Sequence, residues 1–172
     1  MFQNVEIALG DLPDMEELEW QQLHPRYVRR MQAERIVVVM AALAASALPY
    51  LLLDGMFNSS IPLWLIVIVL AVPFLGWPLI AVPRRGYVIR DKDIIFKSGV
   101  VWRSVTAIPY NRVQHVETSN TPFDRKFGIA NLKIFTAGGS GGDLQISGLG
   151  LETAEQLRIY ILEKVGASIE NH

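Results

Sequence analysis

Two long apolar runs, residues 36–53 and 61–82, constrain this chain most, because neither contains Asp, Glu, Lys, Arg or His. At about 1.5 Å per helical residue they reach roughly 27 and 33 Å, enough to cross a hydrocarbon core of about 30 Å. Residues 28–35 can continue the first helix into the headgroup region. Buried core helices of a soluble protein are the alternative. Uncharged runs of this length are typical of membrane spans, so the sequence predicts two transmembrane helices.

The segment before the first run is acidic. Residues 1–25 contain six acidic residues and no Lys or Arg, so they lack the positive start of a cleavable signal peptide. Residues 13–23 begin with proline and are rich in acids, which predicts a short helix there. Pro25 then disfavours helix at the residue before it. We therefore expect residues 1–25 to form a cytoplasmic N-terminal segment with one short helix.

The basic residues predict how the spans are oriented. The connector between the runs, residues 54–60, contains one acid and no base. By the positive-inside rule, both termini are expected in the cytoplasm and the connector outside, with residues 26–85 forming a two-helix transmembrane hairpin. The flanking arginines are expected to contact lipid or the junction: Arg26, Arg29, Arg30, Arg35, Arg84 and Arg85.

Beyond Gly86 the sequence changes to short β-rich runs separated by turn residues about ten residues apart, which is typical of a small antiparallel sandwich or barrel. The stretches "RDKD" and "GGSGGD" are predicted hairpin turns, "TPFDRKFG" a helical turn and "VVWRSVTAIP" a strand. The class predicted for the whole chain is α+β: a transmembrane hairpin followed by an antiparallel β domain.

A C-terminal amphipathic helix is predicted from residue 151 to about residue 165, with Gly166 as its stop. Its apolar stripe is Leu151, Ala154, Leu157, Ile161 and Val165. The predicted domain spans residues 86–166, and residues 167–172 are expected to be a flexible tail. Six or seven strands closed by such a helix match the organisation of a pleckstrin-homology (PH) barrel.

Four stretches carry a resemblance to a known family: "GYVIRDKDIIFKSGVVWR", "IPYNRVQHVE", "FGIANLKIFTAGGSGGD" and "LETAEQLR". Together with "LHPRYVRR" and the two spans, they resemble the YdbS-like bacterial PH-domain membrane proteins from residue 23 onward. The resemblance implies a multi-pass protein of the bacterial cell (inner) membrane with a cytoplasmic PH-like domain and no known catalytic centre. It also implies association with other proteins, often a larger membrane protein with several copies of the domain.

Several positions in these stretches are expected to serve mainly the architecture. Proline cannot donate to a β-ladder and so belongs at a strand end, while glycines supply turn conformations. The positions are Pro109, Tyr110, Asn111, Arg112, His115, Gly128, Gly138 and Gly139.

The sequence offers little for catalysis or metal binding. His24, His115 and His172 are isolated from one another, and there is no cysteine. His115 and Glu117 are two residues apart on a predicted strand and so share a face, which would allow an acid–base pair, but no nucleophile accompanies them. "GGSGGD" is not followed by the Gly-Lys-Ser/Thr of a phosphate loop. We therefore expect no enzyme activity, cofactor, metal or small-molecule substrate.

Two non-catalytic functions remain open. The first is a protein-assembly module whose partner is a larger multi-PH-domain membrane protein or a second copy of the chain. The second is an anionic-lipid-headgroup sensor. Residues 86–172 carry ten Lys or Arg and nine Asp or Glu, so the domain is not a polybasic lipid clamp. Nucleic acid binding is not expected at an isoelectric point of about 6.3.

The linker "PRRG", residues 83–86, is too short to act as a flexible tether. We expect the domain to lie close to the membrane in a restricted orientation. The segment "LHPRYVRR" is expected to pack near the same junction, because it meets the membrane beside the linker.

Overall fold

The computed structural model describes residues 18–52, 62–137 and 144–170. In chain order the strands are β1 (Gln21–Gln22), β2 (Gly86–Ile89), β3 (Asp93–Ser98), β4 (Ser104–Pro109), β5 (Val113–Ser119), β6 (Ile129–Thr136) and β7 (Leu144–Gly150). The α-helices are α1 (Arg26–Leu52), α2 (Leu63–Ala81), α3 (Pro122–Lys126) and α4 (Leu151–Glu170), and a 3-10 turn covers Tyr110–Arg112.

The two apolar runs form α1, of 27 residues, and α2, of 19 residues, which pack side by side. Both helices are long and apolar enough to cross a membrane. Most of their large apolar side chains face outward, with Val72 71% exposed. A core helix of a soluble protein would bury these side chains, whereas a membrane span presents them to lipid. The predicted transmembrane helices are confirmed.

The β domain contains two antiparallel sheets, with strand orders β1-β2-β3-β4 and β5-β6-β7. Helix α4 packs across strands of the second sheet. The buried core lies between these elements and includes Ile94, Leu132, Ile134 and Ile146. Alternation explains why these residues meet, since successive side chains on a strand point to opposite faces. The α+β class predicted from the sequence is confirmed.

Helix α4 differs from its prediction in two respects. Ala154, Leu157 and Ile161 are buried as predicted, but Leu151 is 40% exposed. The helix also continues through Gly166 to its end at Glu170, so the predicted stop at Gly166 is wrong and residues 167–170 of the predicted tail are helical. Glycine inside a helix costs only about 1 kcal/mol relative to alanine, which the helix-compatible residues that follow can offset.

The predicted N-terminal helix is wrong where the structure describes it. Residues 18–23 are not helical, and Gln21 and Gln22 instead form β1, paired with Tyr87 and Gly86 of β2. The edge of β2 offers unpaired backbone groups, and satisfying them outweighs local helix propensity. Residues 13–17 of that prediction lie outside the described residues.

The hairpin between β3 and β4 is longer than predicted. Residues 100–103 were expected to belong to a strand, but β4 begins only at Ser104. Gly99 adopts a φ of 103°, a conformation that favours glycine and lets the chain turn. The turns at residues 91–92 and the helical turn at α3 are confirmed, while the predicted "GGSGGD" turn lies outside the described residues.

Candidate functional site: the membrane junction and a groove beside the last helix

The segment that leads into α1 is packed against the β domain. Leu23 and Tyr27 are buried, and the His24 amide donates a 2.8 Å hydrogen bond to the Gly148 carbonyl. Gly148 has a φ of 88°, and a Cβ at this position would lie 2.3 Å from the Tyr27 ring. Glycine therefore both permits the backbone conformation and makes room for the ring. The prediction that "LHPRYVRR" packs at the junction is confirmed.

A buried ion pair joins α1 to the domain. Asp124 is 3% exposed, and one of its carboxylate oxygens accepts a 2.7 Å hydrogen bond from Arg30 Nε. The Arg30 guanidinium also lies over the Phe123 ring, 5.6 Å from its centroid, and pairs with Glu34 one turn along α1. Asn131 Nδ2 lies 3.4 Å from the second Asp124 oxygen. Arg30 is thus a contact within the protein.

The sequence "TPFD" places Asp124 for this role. Thr121 is the N-cap of α3, and its hydroxyl accepts from the Asp124 amide at 3.0 Å. Asp124 in turn accepts from the Thr121 amide at 3.0 Å and from the hydroxyl at 2.8 Å, forming a capping box. Burial raises the pKa of Asp124, but the bonds from Thr121 and the charge of Arg30 outweigh it, so the pKa is lowered.

A second arginine of α1 is held by α2. The Arg35 guanidinium donates to the Phe74 carbonyl and lies 4.7 Å from the centroid of the Phe74 ring. A charge near the end of a span is tolerated when polar and aromatic groups receive it. Arg35 therefore links the two helices at the border of the apolar segment.

The other four predicted junction arginines have different surroundings. Arg26, Arg29 and Arg84 are exposed, while Arg85 is half-buried. Within the described part of the chain, the Arg85 Nε is buried and has no hydrogen-bond partner. The structure thus separates Arg30 and Arg35, which contact protein groups, from the exposed arginines, for which lipid contact stays a prediction.

A groove of about 400 Å³ lies between the first sheet and α4. It is lined by Gln21, Tyr87, Ile89, Thr153, Gln156, Leu157 and Tyr160. Its floor is aromatic and aliphatic, and its rim carries amides and a hydroxyl. β1, which contributes Gln21, is the outermost strand of its sheet. A groove of this kind beside a sheet edge can accept a peptide or a neighbouring domain.

The "IPYNR" stretch supports the wall of this groove. Pro109 ends β4 as predicted, and the buried Tyr110 donates from its hydroxyl to the Arg90 carbonyl at 3.0 Å. Burial raises the pKa of Tyr110, so the phenol remains a protonated donor. The Tyr110 and Tyr160 rings meet edge to face, with centroids 6.2 Å apart. Tyr110 therefore supports Tyr160, one of the residues that line the groove.

The remaining predicted motif positions differ in their exposure and surroundings. Asn111, Arg112 and His115 are exposed, and the His115 ring lies 5.8 Å from that of Phe135. Gly128 has a φ of 68°, as a glycine turn requires. Gly138 and Gly139 lie outside the described residues. Within the described ranges, no group of three or more His, Cys, Asp or Glu side chains could hold a metal ion.

Three charged groups at the β2–β3 turn, Arg90, Asp91 and Asp93, are paired within the domain. Arg90 donates to Asp93 from Nε at 2.7 Å, and Asp91 pairs with Lys164 of α4. The register also places this turn at the end of β2 remote from α2, because β2 begins at Gly86 immediately after the linker. The turn therefore does not face the spans, and it does not present a cluster of unpaired cations.

Sequence reasoning placed the segment that contains Leu23 and Tyr27 at the junction, but it missed Asp124 and Gly148. A Thr-x-x-Asp pattern is a recognisable capping box, so the local role of Asp124 was accessible. Its pairing with Arg30, 94 residues away along the chain, has no local signal. The same holds for the Gly148–Tyr27 contact.

Comparisons with known proteins agree with this architecture. The family described as "Bacterial PH domain" matches residues 34–165. A protein of Bacillus subtilis (strain 168), "UPF0699 transmembrane protein YdbS", is 35% identical over 72 residues, which are 42% of this chain and 43% of that protein. The match thus spans less than half the length of this relative. No solved structure matches the chain.

Proposed function

Because the chain belongs to the bacterial PH domain family, we propose that it is a non-catalytic assembly module anchored in the bacterial cell membrane by α1 and α2. Its partner is either a larger membrane protein with several PH-like domains or a second copy of the chain. Both termini and the β domain lie on the cytoplasmic side in this proposal. Residues 26–85 are the membrane hairpin and residues 86–166 the core of the docking domain.

The observation that carries the proposal is the groove between the first sheet and α4. Its volume of about 400 Å³ and its mixed lining suit an apolar side chain with polar neighbours. The ordered junction supports the proposal, because the contacts of Leu23, Tyr27 and Arg30 hold the groove in a fixed relation to the membrane. A fixed orientation lowers the entropy cost of docking between two proteins in one membrane.

The alternative, an anionic-headgroup sensor, has weaker support. Arg90 at the β2–β3 turn is paired with Asp93, Asp91 of the turn is paired with Lys164, and the turn lies at the end of the sheet remote from α2. A headgroup site would need several converging cations that face the bilayer.

The groove is tested by Gln156→Arg, which places a long cation at an exposed rim position without altering the core. We expect this variant of the full chain to fold and insert normally but to lose its complex, measured by native electrophoresis after extraction in mild detergent. Gln114→Arg, at an exposed position of β5 outside the groove, is the matched control. An unchanged complex in Gln156→Arg contradicts the groove as the docking site. Co-purification of two differently tagged copies separates self-assembly from a different partner.

Sidedness is tested with reporter fusions after residues 57 and 172. We expect the two fusions to report opposite sides of the membrane, with the C-terminal reporter cytoplasmic. The same side for both contradicts a two-span hairpin.

A further inference from the structure

The tip of the β3–β4 hairpin, residues 99–103, carries apolar side chains that the protein leaves uncovered. Val101 is 69% exposed and Trp102 is 87% exposed, the highest value for a large apolar side chain in the described ranges. Val105, at the start of β4, is half-exposed. In water, exposing such a cluster is unfavourable, so its position relative to the membrane becomes informative.

The strand register places this tip at the membrane end of the sheet. Gly86, the first residue of β2 after α2 and the linker, pairs with Lys97 of β3. β3 therefore runs back toward α2, and residues 99–103 extend beyond the level of Gly86 before β4 turns away from Ser104. A cleft of about 380 Å³ between Pro83, Arg84 and the base of the hairpin shows that the two lie side by side.

The chemistry of the tip is that of a membrane interface. Tryptophan is enriched at the headgroup level, where its ring reaches the apolar boundary and its N–H stays in a polar layer. Two exposed cations flank the apolar pair, Arg103 on the hairpin and Arg84 on the linker. Cations at this depth can contact lipid phosphates.

We propose that the β3–β4 hairpin is an interfacial membrane anchor, in which Val101 and Trp102 enter the boundary between headgroups and acyl chains while Arg84 and Arg103 contact phosphates. The occupant of this apolar surface is the bilayer itself. The site is independent of the groove, which lies between the first sheet and α4 and is lined by other residues. It would add a third attachment of the domain to the membrane, besides α1 and the linker.

The absence of native cysteine permits a direct test in the full chain. Val101→Cys carries a nitroxide spin label, and the protein is reconstituted with one protomer per nanodisc in a mixture of neutral and anionic phospholipid. Ala107→Cys, exposed on strand β4 and distant from the tip, is the matched control, and Lys92→Cys on the remote turn is a second aqueous reference. Collision rates with oxygen, which enriches in lipid, and with a water-soluble nickel complex are measured for each label.

We expect the ratio of oxygen to nickel collision rates to be several-fold higher at residue 101 than at residues 107 and 92. Adding Trp102→Ser to the labelled Val101→Cys protein should bring the ratio down toward that of the controls, with the detergent elution profile unchanged. A label at residue 101 that matches the aqueous controls overturns the proposal. A label shielded from both reagents also overturns it, because protein rather than lipid then covers the tip.

Discussion

The contact between the β domain and α1 is buried and partly ionic. Between α2 and the β domain, by contrast, the chain passes through a short linker in which Arg84 is exposed and Arg85 is half-buried. On the α1 side, Leu23 and Tyr27 are buried and Arg30 reaches the nearly inaccessible Asp124. On the α2 side, Arg84 and the hairpin tip at Val101 and Trp102 remain open. The difference indicates a division of tasks: α1 fixes the orientation of the domain, and the α2 side offers its groups to the surroundings.

The largest expected loss of stability comes from removing the ion pair between α1 and the β domain. Asp124→Ala removes the partner of Arg30 and the capping box together, and losing one member of a buried pair costs about 3 kcal/mol or more. For a chain of this size, the midpoint of thermal unfolding should fall by roughly 6–12 °C. Circular dichroism of the full chain in mild detergent measures this change.

Glu117→Ala, which removes an exposed carboxylate of β5, is the control and should change the unfolding free energy by no more than about 0.5 kcal/mol. Equal midpoints for the two variants would show that the Arg30–Asp124 pair does not hold the domain to α1.

Gly148→Ala tests the contact between α1 and the β domain without changing a charge. The added Cβ would lie 2.3 Å from the Tyr27 ring at a φ of 88°, so both the contact and the backbone conformation become strained. We expect a loss of about 2 kcal/mol, which is a fall of roughly 4–8 °C in the same melting experiment.

Gly166→Ala is the matched control, because this helical glycine has nothing within 4 Å of an added Cβ. Alanine there should stabilise α4 by up to about 1 kcal/mol. Opposite signs for the two glycine substitutions are the expected result. A destabilisation of the same size at both positions would contradict the packing argument.

The helix spans and the strand pattern were within reach of the sequence because each rests on a local pattern, and the family was within reach through the resemblance of the four quoted stretches. Uncharged runs identified α1 and α2, and alternation with turn residues identified the β domain. Helix α4 followed from its stripe of Ala154, Leu157 and Ile161. Its true end did not, because a single glycine is a weak stop when the following residues favour helix.

The individual contacts of the junction were out of reach because they join distant parts of the chain. Gln21 and Gln22 lie in an acid-rich stretch that favours helix, yet they pair with β2 some 65 positions later. Gly148 gives no sign in sequence that an aromatic ring from residue 27 covers it. The sequence predicts lipid or junction contacts for all six arginines alike, and only the fold separates Arg30, which contacts Asp124, from the exposed Arg84.

Acidification should weaken the contact between α1 and the β domain without any substitution. Because the folded-state pKa of Asp124 is lowered, its ionised form contributes stability above the ordinary carboxylate range near pH 4. That contribution is lost as the pH falls through the folded-state pKa. In melts of the wild type and Asp124→Asn between pH 6 and pH 3, we expect the difference in midpoint to narrow with acidification. A constant difference would show that the ionisation of Asp124 is not the source of its effect.

The smallest effect, on the orientation of the domain and on complex formation, should come from lengthening the linker between α2 and β2 alone. Inserting about ten Gly or Ser residues between Pro83 and Arg84 gives that linker the reach of a flexible tether. On the sequence alone, this linker would be the main constraint on the domain. In the structure the domain keeps its second attachment through Leu23, Tyr27 and the Arg30–Asp124 pair, so its orientation and complex formation should change little.

The same insertion combined with Asp124→Ala should release the domain and reduce the amount of complex in native electrophoresis well beyond either change alone. If the insertion alone abolishes the complex, the linker rather than α1 orients the domain, and the division between the two sides is reversed.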